Sequence, residues 1–150
     1  MNILKFKSKV IFLNAAFLSA GLVAGLVAGV AQGKTQRQQP TEHEGVSVTP
    51  LGALPEASLK IQLGMSGYEM KLREVTVMPG GAIKKHSHAT RPGLVQTISG
   101  SWIEVKNGKE TEYSATLKKA LVEDKDTVHW LYNKGDVPAV AVVCGLSKVE

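Results

Sequence analysis

His86-Ser87-His88 sets two imidazoles two residues apart. In an extended strand such residues point to the same face, so both rings aim one way and are close enough to share a metal ion. His129 is the third histidine of the same apolar-patterned region, whereas His43 lies in a wholly polar stretch and reads as a solvated bystander. Imidazole nitrogen suits iron, nickel, copper and zinc. A ring must be neutral to bind metal, so affinity is expected to weaken as pH falls through about 6.5, the free-histidine value.

The elements that must position these rings are short and β-like. Candidate strands are Leu59–Leu63, Glu69–Met78, Ala82–His88, Leu94–Ser99, Trp102–Lys106, Glu110–Ala115, Ala120–Glu123, Val128–Tyr132 and Ala139–Gly145. Turn signals separate them, among them Pro79-Gly80-Gly81, Arg91-Pro92-Gly93 and Asn133-Lys134-Gly135-Asp136. Asn107-Gly108 is the strongest, because Asn-Gly tolerates the positive φ of a type I′ hairpin turn. Several short strands at this spacing predict an all-β sandwich or barrel. Lys118, Lys119, Glu123, Asp124, Lys125 and Asp126 mix charge signs, which reads as a wet surface.

Ahead of the strands, Lys5, Lys7 and Lys9 precede an uncharged run to Ala31 that ends in Gly29-Val30-Ala31. This describes a signal peptide over residues 1–31, with an uncleaved membrane anchor as the alternative. The body of the protein is therefore expected to be exported, to a periplasm or the exterior. Residues 32–45 contain no hydrophobic side chain and read as a flexible linker. The folded domain is expected over 46–150. The net charge of +5 includes those three leader lysines, so it does not argue for a nucleic-acid partner. The single cysteine, Cys144, excludes an internal disulfide and sits in a strand-like run as a small core residue. A chain of 150 residues holds one core and excludes multidomain enzymes.

Three segments carry a family resemblance: Pro79-Gly80-Gly81-Ala82-Ile83-Lys84-Lys85-His86-Ser87-His88, Gly93-Leu94-Val95-Gln96-Thr97-Ile98-Ser99-Gly100, and Val128-His129-Trp130-Leu131-Tyr132-Asn133. Together they resemble the two motifs of the cupin family, over about Tyr68 to Leu146. The resemblance implies a double-stranded β-helix, or jelly-roll, barrel with the histidines inside, and a homodimer in which Leu59–Leu63 could serve as a contributing edge strand. It implies His86, His88 and His129 as metal ligands, with iron first and manganese, nickel, copper or zinc as alternatives. It also brings Arg91, Gln96 and Asn133 into view as residues near a substrate or behind the ligands.

The departures from the motifs bear on the chemistry. The family's metal-binding acid falls at Gly93, and Gln96, three residues on, should face the other side of its strand. Lys118, Asp124 and Asp126 replace the glycine, proline and glycine expected before His129, which puts that turn in doubt. The site is thus expected to keep three neutral nitrogens and to lose its carboxylate, leaving a cation that attracts an anionic or chelating oxygen ligand. Three functions follow as expectations. They are an oxygen-dependent oxidation of a small organic acid or diketone-like molecule, a non-catalytic small-molecule or sugar-binding barrel, and a metal-dependent isomerase or lyase.

Overall fold

Val, Ile, Thr and aromatic residues dominate the segments between Gly and Pro turns, and those side chains fit a pleated, half-buried surface. The computed structural model describes residues 37–149. The expected signal peptide and the first residues of the linker lie outside that range. Eight strands form: β1 (Glu44–Leu54), β2 (Tyr68–Ser87), β3 (Gly93–Ser99), β4 (Ser101–Lys106), β5 (Lys109–Ser114), β6 (Leu121–Glu123), β7 (Val128–Tyr132) and β8 (Ala139–Lys148). They join in the order β5-β4-β7-β2-β8-β3-β6, with β1 paired to β2. All pairings are antiparallel. The result is a nearly closed jelly-roll barrel.

The segments read as Glu69–Met78 and Ala82–His88 are one strand, β2, that bends at Pro79-Gly80-Gly81. Its first half pairs with β1 and β8, its second half with β7, so this one strand links both layers of the barrel. Gly80 takes φ 73°, and a Cβ on Gly81 would stand 2.6 Å from the Glu44 carbonyl, so the bend needs both glycines. Asn133 locks the bend. Its backbone N–H donates to the Gly81 carbonyl and its side-chain amide to the carbonyls of Val77 and Val137.

Asn107 and Gly108 both have positive φ in the two-residue turn between β4 and β5, as the hairpin reading requires. Lys118 also takes positive φ, at 46°, where the family pattern has glycine. The turn before His129 forms without proline or glycine. The Asp124 carboxylate accepts the Asp126 N–H at 3.1 Å and the Thr127 hydroxyl at 2.8 Å.

Cys144, expected in the core, is half-buried on the outer face of β8, next to inward-facing Val143. Two further readings need correction. Leu59–Leu63 is not an edge strand but part of a helix, α1 (Glu56–Leu63). Gly64 closes it in the left-handed conformation, with its N–H on the Lys60 carbonyl and that of Met65 on Leu59. The alternation Leu59, Ile61, Leu63 suggested a strand, yet only Leu59 is buried and the other two are exposed. The second correction concerns the late linker. Strand pairing starts at Glu44, and the residues before it touch the barrel: the Lys84 backbone N–H donates to His43 Nδ1, Lys84 pairs with Glu42, and Arg37 bonds Glu44 and the Gly80 carbonyl. His43 is therefore no bystander.

The interior is packed by Val75, Val77, Val95, Trp102, Leu121, Leu131, Ala139, Ala141 and Val143. A second cluster on the other face of β4 and β7 holds Ala82, Ile103, Val105, Trp130 and Tyr132.

Candidate metal centre

His86 and His129 sit directly opposite each other in the β2–β7 pairing, and a β-bulge puts them there. Between Ile83–Leu131 and His86–His129, β2 advances three residues while β7 advances two. Without the extra residue at Lys84–Lys85, His86 would face outward. The bulge also frees the Lys84 carbonyl, which accepts the His86 Nδ1–H at 2.8 Å. His88 follows just beyond β2. Its backbone N–H is anchored on the Thr127 carbonyl, and its Nδ1–H donates to the Arg91 carbonyl at 3.0 Å.

His129 is fully buried, and its Nδ1–H donates to the carboxylate of Glu104 on β4 at 2.7 Å. Glu104 pairs with Leu131 across the β4–β7 ladder, two residues from His129 and so on the same face.

All three Nδ1 protons are thus committed outward, which leaves three Nε2 lone pairs converging. His129 Nε2 lies 3.2 Å from His86 Nε2 and 3.2 Å from His88 Nε2. Facing lone pairs repel unless a cation lies among them. That separation suits two ligands about 2.1 Å from one ion at roughly 100°. Burial lowers the His86 and His88 rings to about 4, so both are neutral at neutral pH.

The fourth donor is one that sequence reasoning placed on the surface. Glu123 is buried, its carboxylate 3.3 Å from His88 Nδ1 and 3.7 Å from His129 Nε2. Burial pushes its carboxyl above the usual range, the mark of a buried acid without a full counter-charge. The donor atoms of His86, His88, Glu123 and His129 all lie within 4.8 Å of one another, so this group could hold a metal ion.

Glu123 pairs with Gly93 across β6 and β3, and a Cβ on Gly93 would stand 2.9 Å from its Oε2. The carboxylate thus stands beside the position where the family's acid would begin, supplied by the neighbouring strand. The expectation of a site without an acid is overturned. The signal available in the sequence was Gly93 itself, a residue with no side chain where a ligand was due.

A cavity of about 430 Å³ opens beside the group, lined by His86, His88 and Glu123 and by apolar residues of the barrel interior. Arg91 reaches its lining, with its Nε–H on the Ser87 carbonyl. The other two candidates do not reach it. Gln96 lies on the face of β3 opposite buried Val95 and Thr97 and donates to the Thr97 carbonyl. Asn133 is spent on the Gly80–Gly81 bend.

A jelly-roll barrel with three histidines and a carboxylate turned inward defines a class, and solved structures identify it as the cupin fold. A Cupin_2 domain from an XRE-family transcriptional regulator of Enterobacter cloacae superposes with a TM-score of 0.51 at 16% identity, covering 71% of this chain and 100% of that one. KdgF from a Halomonas species gives 0.52 at 15% identity, over 71% of this chain and 81% of that one. A cupin-superfamily sugar phosphate isomerase from Silicibacter pomeroyi gives 0.50 at 19% identity, over 71% and 66%. No family model and no curated protein matches the sequence.

Proposed function

We propose that the protein is an exported, metal-dependent cupin enzyme that oxidises a small organic acid or diketone-like molecule with dioxygen. One observation carries the reading: the Nε2 atoms of His86 and His88 each lie 3.2 Å from that of His129, beside a buried carboxylate and at the wall of a cavity large enough for a small molecule. Iron is the metal proposed first; the same donors accept manganese, nickel, copper or zinc. When bound, a redox-active ion supplies electrons to dioxygen and polarises a substrate oxygen. The chain supplies the rest. Glu104 fixes the tautomer and orientation of His129, and the Lys84 and Arg91 carbonyls do so for His86 and His88. The apolar part of the lining suits the body of a small molecule, and Arg91 in the same lining favours anionic ligands.

The test is elemental analysis of protein purified from its native compartment, with oxygen uptake followed on candidate acids and diketones. Iron or manganese near one per chain with substrate-dependent uptake is the expected result. Zinc without uptake would direct the reading to Lewis-acid isomerisation or elimination, and no metal at all to a binding barrel. The same sample reports on export, since a cleaved leader removes Met1.

A homodimer belongs to the same proposal. Leu72, Cys144, Leu94 and Val122 form one cross-strand row on the outer face of β2, β8, β3 and β6. Its three aliphatic members are exposed, and a second copy of the same row is the self-complementary partner we propose. Sedimentation should show a dimer at micromolar concentration and a monomer for Leu94→Lys. A monomeric parent would remove the claim.

A further inference from the structure

Two residues that line the cavity each carry a buried donor without a partner. Arg73 Nε and Trp102 Nε1 are both buried, and neither makes a hydrogen bond. No ion pair involves Arg73 among the described residues. An unsatisfied buried donor is costly, more so where it is charged, and native proteins keep few of them. Both residues line the cavity that also contains His86 and His88.

The strand register shows how Arg73 comes to be there. Arg73 on β2 pairs with Val143 on β8, Val143 with Val95 on β3, and Val95 with Leu121 on β6. Two residues along each strand, the next row on the same face runs Lys71, Gly145, Gly93 and Glu123. The guanidinium therefore sits in the row next to the candidate metal ligand, among valines and not among carboxylates. Arg73 and Arg91, neither in an ion pair among the described residues, line the cavity beside the single carboxylate of Glu123, while the third cation of the lining, Lys84, is paired with Glu42. The charge of Arg73 acts on the Glu123 carboxyl and lowers it, but the two form no ion pair, so the Arg73 Nε–H stays unused, as does the Trp102 N–H.

We propose that Arg73 and the Trp102 indole N–H bind the carboxylate of a small monocarboxylate ligand, whose apolar body lies against Val75, Val95, Leu131 and Val143. This rests on the reading of the cavity as the ligand site and narrows the ligand to an anion, as opposed to a neutral diketone. Charge-assisted bonds from a guanidinium give the affinity, and the indole N–H selects the orientation.

The test uses metal-free protein carrying Trp130→Phe, in which Trp102 is the only indole of the two in the chain. Benzoate is titrated against benzamide, and butanoate against butanamide, with indole fluorescence as the readout and calorimetry as a check. Each carboxylate should bind at least about tenfold more tightly than its neutral amide. Arg73→Gln should reduce that preference to less than about twofold, and Arg73→Lys should recover part of it, because charge survives without the fork. Trp102→Phe, followed by calorimetry, should weaken carboxylate binding while the barrel's circular dichroism is unchanged. This second variant keeps the question open to test should Arg73→Gln not fold. No preference in either pair, or a preference unaltered in both variants, overturns the proposal. Metal content measured on the parent separates the two readings. A barrel that takes up no metal yet prefers carboxylates keeps this inference and loses the metal centre, and the opposite pattern does the reverse.

Discussion

His129→Ala is expected to strip the purified protein of its metal, with affinity falling by on the order of a hundredfold or more. The ring is fully buried, its Nε2 is the one within 3.2 Å of both other rings, and its Nδ1–H is held by Glu104. Glu104→Gln keeps the shape and a carbonyl acceptor but removes the charge behind the ring. That change should cost about 10–100-fold in metal affinity, the usual effect of losing an outer carboxylate. His43→Ala serves as the control: His43 lines the cavity but is not among the converging donors, so metal content should hold. Equal metal in parent and His129→Ala would dismiss the centre altogether. A pH series sharpens the result. The folded His86 and His88 values near 4 lie below the free value, so both rings stay neutral and available where free imidazoles would be protonated. Metal should persist at pH 5.5 and leave as pH approaches about 4, not at the 6.5 expected from free histidine. Release centred near 6.5 would mean that the rings titrate as though exposed.

Gly93→Glu should be damaging alone and much less so in company. A Cβ at this position would stand 2.9 Å from Glu123 Oε2 and 3.2 Å from the Cys144 carbonyl, so the new side chain competes with Glu123 for one space. Overpacking of this kind costs about 1–3 kcal/mol. Two carboxylates side by side add repulsion, so the single variant should also lose metal affinity by about tenfold or more. Adding Glu123→Ala removes the competitor and moves the acid to the position the family pattern assigns. The double variant should recover thermal stability and metal binding toward parental levels. Failure of the double variant to bind metal, in a folded barrel, would show that Glu123 is not standing in for the missing acid.

The two variants mark where sequence reasoning reached and where it stopped. Features encoded within a few residues were legible: the Asn107-Gly108 hairpin, the bend at Gly80-Gly81, and the shared face of His86 and His88. Features created by adjacency across strands were not. Glu123 stands among lysines and aspartates, and nothing nearby in the chain distinguishes it from the solvated acids beside it. Its role follows from its pairing with Gly93, which only the closed sheet establishes. Arg73 and Trp102 were likewise invisible as a pair, since they stand on separate strands, β2 and β4, and line one cavity only once the barrel has formed. Helix α1 was misread because three aliphatic residues at alternate positions imitate a strand when the capping at Pro55 and Gly64 is overlooked.

The strand that carries Glu123 has a mechanical consequence. β6 is three residues long, lies at the margin of the sheet, and pairs with β3 alone. Such a strand is held by few hydrogen bonds and opens locally before the rest of the barrel does. An ion shared by Glu123 and by histidines borne on β2 and β7 would rivet this loose margin to the opposite layer. Occupancy of the site then governs the tension of the barrel's rim as well as its reactivity. A metal-starved molecule would begin to unfasten at Leu121–Glu123, beside the apolar outer row, where freed strand edges invite association with other chains.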